Sequence, residues 1–327
     1  MFLKDCWYAA ALTSEVVHAP LARTICDEPV VLFRTASGKP SALVDRCPHR
    51  FAPLSIGRLS GEHITCLYHG IEFGCDGTCV RIPQQEHILP EMHVRSYPLV
   101  ERWGLAWIWM GDPQRANAAT IPSYFWLADP RWRNLVRRYH VQANFEVCAD
   151  NILDLSHTPF VHTGTIGTPE MATIPVKTWV DGDTVYSRRV MHQVTPGPFV
   201  YRWGNFTDRI DRVTTTEWLP PGNISVELVY QDDANKITLR LTNPLTPETN
   251  RTTHVFFMWS RDFGDDVDEA FTKESFQVMD EDIAIIQHQQ AVIDRGQPLP
   301  TVAIAADASL LQARRVLERL VRQQAAE

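Results

Sequence analysis

Four residues in the first quarter of the sequence have the types and spacing of a metal site. "CPHR" pairs Cys47 with His49 across one residue, "CLYHG" pairs Cys66 with His69 across two, and sixteen residues separate the pairs. Each pair offers one thiolate and one imidazole. A [2Fe–2S] cluster with two cysteines on one iron and two histidines on the other needs that inventory. The neutral imidazoles raise its potential, so it accepts electrons readily and passes them on. Structural zinc uses the same ligand types, but its pairs more often leave two to four residues between ligands, whereas Cys47-x-His49 leaves one. Pro48, Arg50, Pro53 and Gly70 suit tight loops over a cluster. Cys75 and Cys79 flank the Asp76-Gly77 turn and read as strand residues, while Cys6, Cys26 and Cys148 read as small buried hydrophobes.

A second constellation lies in "NFEVCADNILDLSHTPFVH", residues 144–162. Asp154 and His157 are three apart and share a face of any helix they occupy. His162 follows, and two histidines with a later carboxylate make the facial triad of non-haem Fe(II) oxygenases. Five residues of regular helix would set His157 and His162 about 140° apart, too far round to share an ion. Pro159 between them is expected to break or kink the helix. The carboxylate is sought in "FTKESFQVMDEDIAIIQHQQAVID". At about 100° per residue, Phe276, Val278, Met279, Ile283, Ile285 and Ile286 fall on one broad arc. Asp282 falls inside that arc, whereas Asp280 and Glu281 fall outside. A carboxylate among aliphatics is costly unless paired or bound to a metal, so Asp282 is the candidate ligand.

These residues need scaffolds of two textures. Up to about residue 115 the chain reads as short strands and turns: "PVVLFR", "SALVD", "GEHITCLYHG", the "CDGTC" hairpin and "RWGLAWIWMGDP". Beyond it, a helix is expected over about 143–158 and a strand-rich stretch over 175–260. The best strands there are "TVYSRRVMHQV", "ISVELVY", "KITLRLT" and "THVFFMWS". A long helix is expected at about 266–294, then a loop with Pro298 and Pro300, then a helix at 308–323. The 327 residues carry a net charge of −8 and are 44% hydrophobic, with no basic footprint for nucleic acid. No apolar run has the length of a membrane span, and Lys4 and Asp5 interrupt the N-terminus. Seven cysteines do not suggest a disulfide framework. The expectation is a soluble, cytoplasmic protein with reduced thiols.

With both constellations in view, the chain resembles the oxygenase components of Rieske non-haem iron oxygenases, most of all vanillate O-demethylase and toluenesulfonate methyl-monooxygenase subunits. The resemblance runs from "CWYAA" through "CPHRFAPLSIG", "CLYHGIEF", "ERWGLAWIWMGDP" and "DNILDLSHTPFVH" to "PLTPET", "SRDF" and "MDED". It implies an α+β protein: an all-β Rieske domain over 1–115, then a helix-grip (START-like) catalytic domain with an antiparallel sheet over 116–327. By position it assigns the cluster to Cys47, His49, Cys66 and His69, and the catalytic iron to His157, His162 and Asp282. It further implies a homotrimer in which Asp154 bridges His157 to His69 of the neighbouring subunit, with Asn151 a polar residue near the iron. No G-x-G-x-x-G is present, so electrons are expected from NAD(P)H through a separate flavin or iron–sulfur reductase. The expected reaction uses O2 to hydroxylate a methoxy or methyl group of a small aromatic acid. Ring cis-dihydroxylation, a Rieske electron carrier without catalysis and a zinc-stabilised binding protein are the alternatives. Arg202, Asn205, His192 and Asn243, on or beside the grip strands, are candidate substrate contacts.

Overall fold

The computed structural model describes residues 2–264, 269–296 and 302–326. They form two units, Phe2–Ile121 with Thr246–Thr249, and Pro122–Leu245 with the chain from Asn250 onward. The loop expected around Pro298 and Pro300 lies outside the described residues.

The first unit is built from three antiparallel sheets. Leu105–Met110, "LAWIWM", is buried at every position and is flanked by Cys6–Leu12 and Leu99–Arg102. A second sheet orders Leu21–Ile25, Glu28–Arg34, Pro40–Val44 and Ser96–Tyr97, and a third orders Arg58–Ser60, His63–Thr65, Glu72–Phe73 and Cys79–Arg81. Apolar runs such as "VVLF" are fully buried between the sheets, so their continuous rather than alternating pattern has a physical cause. The turn in "CDGTC" closes by Gly74 N–H to Thr78 C=O, 2.9 Å. Gly77 within it has φ +85°, and a Cβ there would lie 1.7 Å from the Val94 carbonyl oxygen.

The second unit carries one seven-stranded antiparallel sheet in the order Arg133–Val141, Thr253–Arg261, Lys236–Pro247, Asn223–Gln231, Ile210–Leu219, Thr184–Val194, Lys177–Asp181. Strict alternation along Ile210–Leu219 buries Ile210, Arg212, Thr214, Thr216 and Trp218 on one face. Helices Phe145–Leu153, Glu269–Ile293 and Ala308–Ala326 contribute Ile152, Met279, Ile286, Ala313 and Val316 to the same apolar core as Val226, Leu228 and Phe257 of the sheet. Among the described residues no helix is long and apolar enough to cross a membrane.

Two elements depart from expectation. Arg133–Val141 is an edge strand whose arginines hid its β character, whereas Ile210–Leu219 falls inside the strand-rich stretch expected over 175–260. The single helix expected over 143–158 is three pieces: Phe145–Leu153, a 3-10 turn Leu155–His157 and a short helix Thr158–Val161. Asp154 makes the break. Its backbone is extended (φ −107°, ψ 93°) and its carboxylate caps the next turn, accepting from Ser156 N–H at 2.8 Å and Ser156 Oγ at 2.9 Å. Pro159 does not break a helix between the histidines, because it sits in the first turn of Thr158–Val161, where its missing N–H costs nothing.

Candidate metal centres

Cys47 and Cys66 begin loops with the same bracing. Cys47 N–H donates to Ala52 C=O (2.9 Å) and Phe51 N–H to Cys47 C=O (2.9 Å). In the other loop Cys66 N–H donates to Ile71 C=O (2.8 Å) and Gly70 N–H to Cys66 C=O (3.0 Å). In each, the fifth residue takes a left-handed conformation, Phe51 at φ 61° and Gly70 at φ 69°. The loops therefore offer their ligands in parallel, although the histidine is second after Cys47 and third after Cys66. Both thiols are buried at 1% exposure, while His49 and His69 are exposed with ring centroids 4.6 Å apart. Burial pushes the Cys47 thiol up to about 11, the His49 backbone N–H opposes this, and the adjoining Cys66 adds to it. A buried pair of thiols beside two imidazoles, with backbone N–H groups of His49 and Arg50 aimed at sulfur, fits a mixed-ligand [2Fe–2S] cluster. Cys75 and Cys79 instead donate to the carbonyls of Glu62 and Arg81, both 3.7 Å.

In the second unit, His157, His162 and Asp282 each offer a ligand atom, all within 4.8 Å of one another. Asp282 Oδ1 lies 3.2 Å from Nε2 of both histidines. The break at Asp154 and the short helix that follows turn His157 and His162 toward one point, with ring centroids 5.2 Å apart. The far nitrogens are also committed. His157 Nδ1 is 2.6 Å from the Asp154 backbone carbonyl, an acceptor only, so it must carry the proton there. His162 Nδ1 is 2.7 Å from Glu281 Oε2. Both Nε2 lone pairs then converge on a carboxylate oxygen, an all-acceptor arrangement that a dication satisfies. Burial works against charge on His162, yet Asp282 and then Glu281 outweigh it and raise its pKa. For Asp282, burial is likewise outweighed, by the two imidazoles beside it, and its carboxyl is held well below the usual range. Asn151 Nδ2 donates to Asp282 Oδ1 at 3.0 Å.

Helix phase separates the three neighbouring acids. Asp282 is 8% exposed, Asp280 is exposed, and Glu281 is half-buried on His162, Thr165 and Gln277. Sequence reasoning set Glu281 outside the apolar arc and missed this role. Ile285, placed inside the arc, is 45% exposed. The Asp154 carboxylate hydrogen-bonds Ser156, and it is the backbone carbonyl that meets His157.

Of the substrate candidates, Asn243 is 2% exposed on the inner face with Nδ2 unpartnered. The others lie elsewhere. Arg202 Nη1 is tied to Glu274 at 2.6 Å on helix Pro198–Trp203, exposed His192 meets Asp211 at 3.0 Å, and Asn205 is exposed in a loop. Trp259, buried with its Nε1 unpartnered, was not singled out, because in sequence it is one aromatic of an apolar strand.

A thiol–imidazole cluster site in a β unit, with a two-histidine, one-carboxylate site under an antiparallel sheet, defines a Rieske-type non-haem iron oxygenase. Comparison with known proteins agrees. Residues 6–98 match the Rieske [2Fe-2S] domain family, and residues 141–323 match the vanillate O-demethylase oxygenase C-terminal domain family. A putative toluene-4-sulfonate monooxygenase system iron-sulfur subunit from Comamonas testosteroni is 38% identical, covering 98% of each chain. The vanillate O-demethylase oxygenase subunit of a Pseudomonas species is 32% identical, covering 98% of this chain and 95% of its own. The crystal structure of dicamba monooxygenase bound to 3,6-dichlorosalicylic acid superposes with a TM-score of 0.92 at 30% identity, covering 100% of this chain and 99% of that one. The chain belongs to the Rieske non-haem iron monooxygenases, as an oxygenase component whose cofactors are a Rieske [2Fe–2S] cluster and a mononuclear iron.

Proposed function

We propose that the chain hydroxylates the methoxy or methyl carbon of a small aromatic acid, with O-demethylation the leading reaction, using electrons from a separate reductase. The convergence of His157, His162 and Asp282 within 4.8 Å carries this reading, together with relatives named for a sulfonated toluene and for vanillate. Iron held there supplies dioxygen activation, and the cluster held by Cys47, His49, Cys66 and His69 supplies electrons. The chain's own part is positioning. The Asp154 carbonyl fixes His157, Glu281 fixes His162, and Asn151 orients Asp282. Asn243 and Trp259 present buried N–H donors to a substrate oxygen from the inner face. A hydroxylated methoxy carbon is a hemiacetal and collapses to a phenol and formaldehyde; a hydroxylated methyl carbon stays as a benzylic alcohol.

The working assembly is a homotrimer in which His69 of one subunit delivers electrons to the neighbour's iron by way of Asp154. Two exposed faces support it. Phe51, Leu67 and Tyr68 stand 60–68% exposed around the cluster histidines, and Phe160, between the iron histidines, is 72% exposed; apolar patches of this kind mark interaction surfaces. Asp154, in the same segment as Phe160, is half-buried. The deciding experiment gives the purified protein a surrogate reductase, NADH and a panel of methoxy-, methyl- and unsubstituted aromatic acids. Formaldehyde in step with O2 uptake is expected from a methoxylated acid, and cis-diol formation from an unsubstituted ring would overturn the reading.

A further inference from the structure

The inner face of the seven-stranded sheet carries a second polar centre. Arg189 stands on Thr184–Val194 and Arg212 on Ile210–Leu219. Register pairs Arg189 with Thr214 and Arg212 with Met191, so the two arginines are diagonal neighbours on one face. They are 4% and 1% exposed. Neither has an ion pair among the described residues. Arg212 Nη1 has only the Ile166 carbonyl at 3.4 Å and the Met171 sulfur at 3.2 Å, with its guanidinium 5.3 Å from the Tyr230 ring centroid. The Nε atoms of both arginines and the Thr214 hydroxyl are buried with no partner. Ser187, Arg189, Thr214 and Thr216 line one small pocket with Asp154 and Leu155.

Two buried guanidinium groups side by side need negative charge nearby. Burial and then Arg212 push the Arg189 pKa below the usual arginine range, and Asp154 is the acid that works the other way. Asp154 supplies one charge against two, and its carboxylate is already engaged by Ser156. One positive charge is left over, beside unpartnered donors. The geometry points to an anion-binding site formed by Arg189, Arg212 and Thr214, taking an oxyanion: the carboxylate or sulfonate of the substrate, or a free inorganic anion. Only the substrate arm rests on the aromatic-acid reading above.

The test is calorimetric titration of the holoprotein with sulfate and, separately, with benzoate at fixed ionic strength. Saturable binding is expected. It should weaken about tenfold or more in Arg189→Met and in Arg212→Met, as the loss of a hydrogen bond to a charged group implies, and less in Thr214→Val. Sulfate and benzoate displacing each other, with benzoate raising KM for the turned-over acid, would assign the site to the substrate. Sulfate binding undisturbed by benzoate would assign it to a free anion. Should the arginine variants fail to fold, the wild-type titration and Thr214→Val still decide. Absence of saturable binding by either anion in wild type, or binding unchanged in every variant that folds, would overturn the site. Sulfate binding in a protein that turns over no aromatic acid would leave the site standing and sink the substrate reading instead.

Discussion

Replacing Glu281 by alanine is expected to weaken the mononuclear metal without touching a metal ligand. Oε2 of Glu281 lies 2.7 Å from His162 Nδ1 and 3.3 Å from Thr165 Oγ1, and Oε1 accepts from Gln277 Nε2 at 2.8 Å. The carboxylate is thus held at both ends, and it fixes His162 with Nε2 toward Asp282. Removing such an orienting partner typically costs about 10–100-fold in metal affinity, or about 1.4–2.7 kcal/mol. Glu281→Ala, which also frees the imidazole to rotate, belongs at the upper end. Glu281→Gln still accepts the hydrogen bond but lacks the charge, and belongs at the lower end. The assay is anaerobic titration of iron-stripped protein with Co(II) against a competing chelator, with the Rieske absorption as an internal check on folding. Asp280→Ala is the control, because Asp280 is exposed on the same helix. An affinity for Glu281→Ala within about threefold of wild type would refute the reasoning, since that lies below the range such a contact commands. His162→Ala binding metal as tightly as wild type would instead remove the ligand assignment on which it rests.

Four further outcomes are expected. Cys66→Ser should lose the visible cluster absorption and NADH-coupled turnover while keeping mononuclear iron, and a red-brown, active variant would contradict the cluster assignment. Asp282→Ala should lose mononuclear iron and keep the Rieske spectrum, whereas Asp280→Ala should lose neither; metal analysis of the two side by side decides. Asp154→Asn should leave both metals bound, because the backbone carbonyl holds His157, yet slow cluster-to-iron electron transfer by orders of magnitude in single-turnover absorbance traces. Mixed trimers of Asp154→Asn and Cys66→Ser chains should recover turnover, and no rescue in verified mixed trimers would mean that transfer stays within one chain. Gly77→Ala should lower the unfolding midpoint of the Rieske unit in a thermal melt. The left-handed backbone alone costs about 1–3 kcal/mol, and the methyl meets the Val94 carbonyl; an unchanged midpoint would show that the turn relaxes freely.

What the sequence reveals about these sites depends on how far each constraint reaches along the chain. The cluster loops are legible because every ligand sits within a few residues of its cysteine, so spacing alone records the geometry. Asp282 is legible because helix phase turns sequence position into direction, and a carboxylate directed into an apolar arc has to be accounted for. Glu281 stays hidden under the same reasoning. Phase says that it faces away from the aliphatics, but not that His162, 119 residues earlier, will occupy that side. The histidine pair shows the opposite failure, in which the right meeting was inferred from the wrong break. A proline draws attention as a helix breaker, yet at the first turn of a new helix it is harmless. The interruption came from Asp154, whose side chain competes for the backbone of its own turn. Arg202 was a candidate substrate contact because it lies on or beside the grip strands, and the fold gave it Glu274. Arg189 and Arg212 are buried without such a partner among the described residues. Charge complementarity is settled by tertiary neighbours. A sequence can therefore name the residues able to bind an anion, but only packing decides which of them remain free to do so.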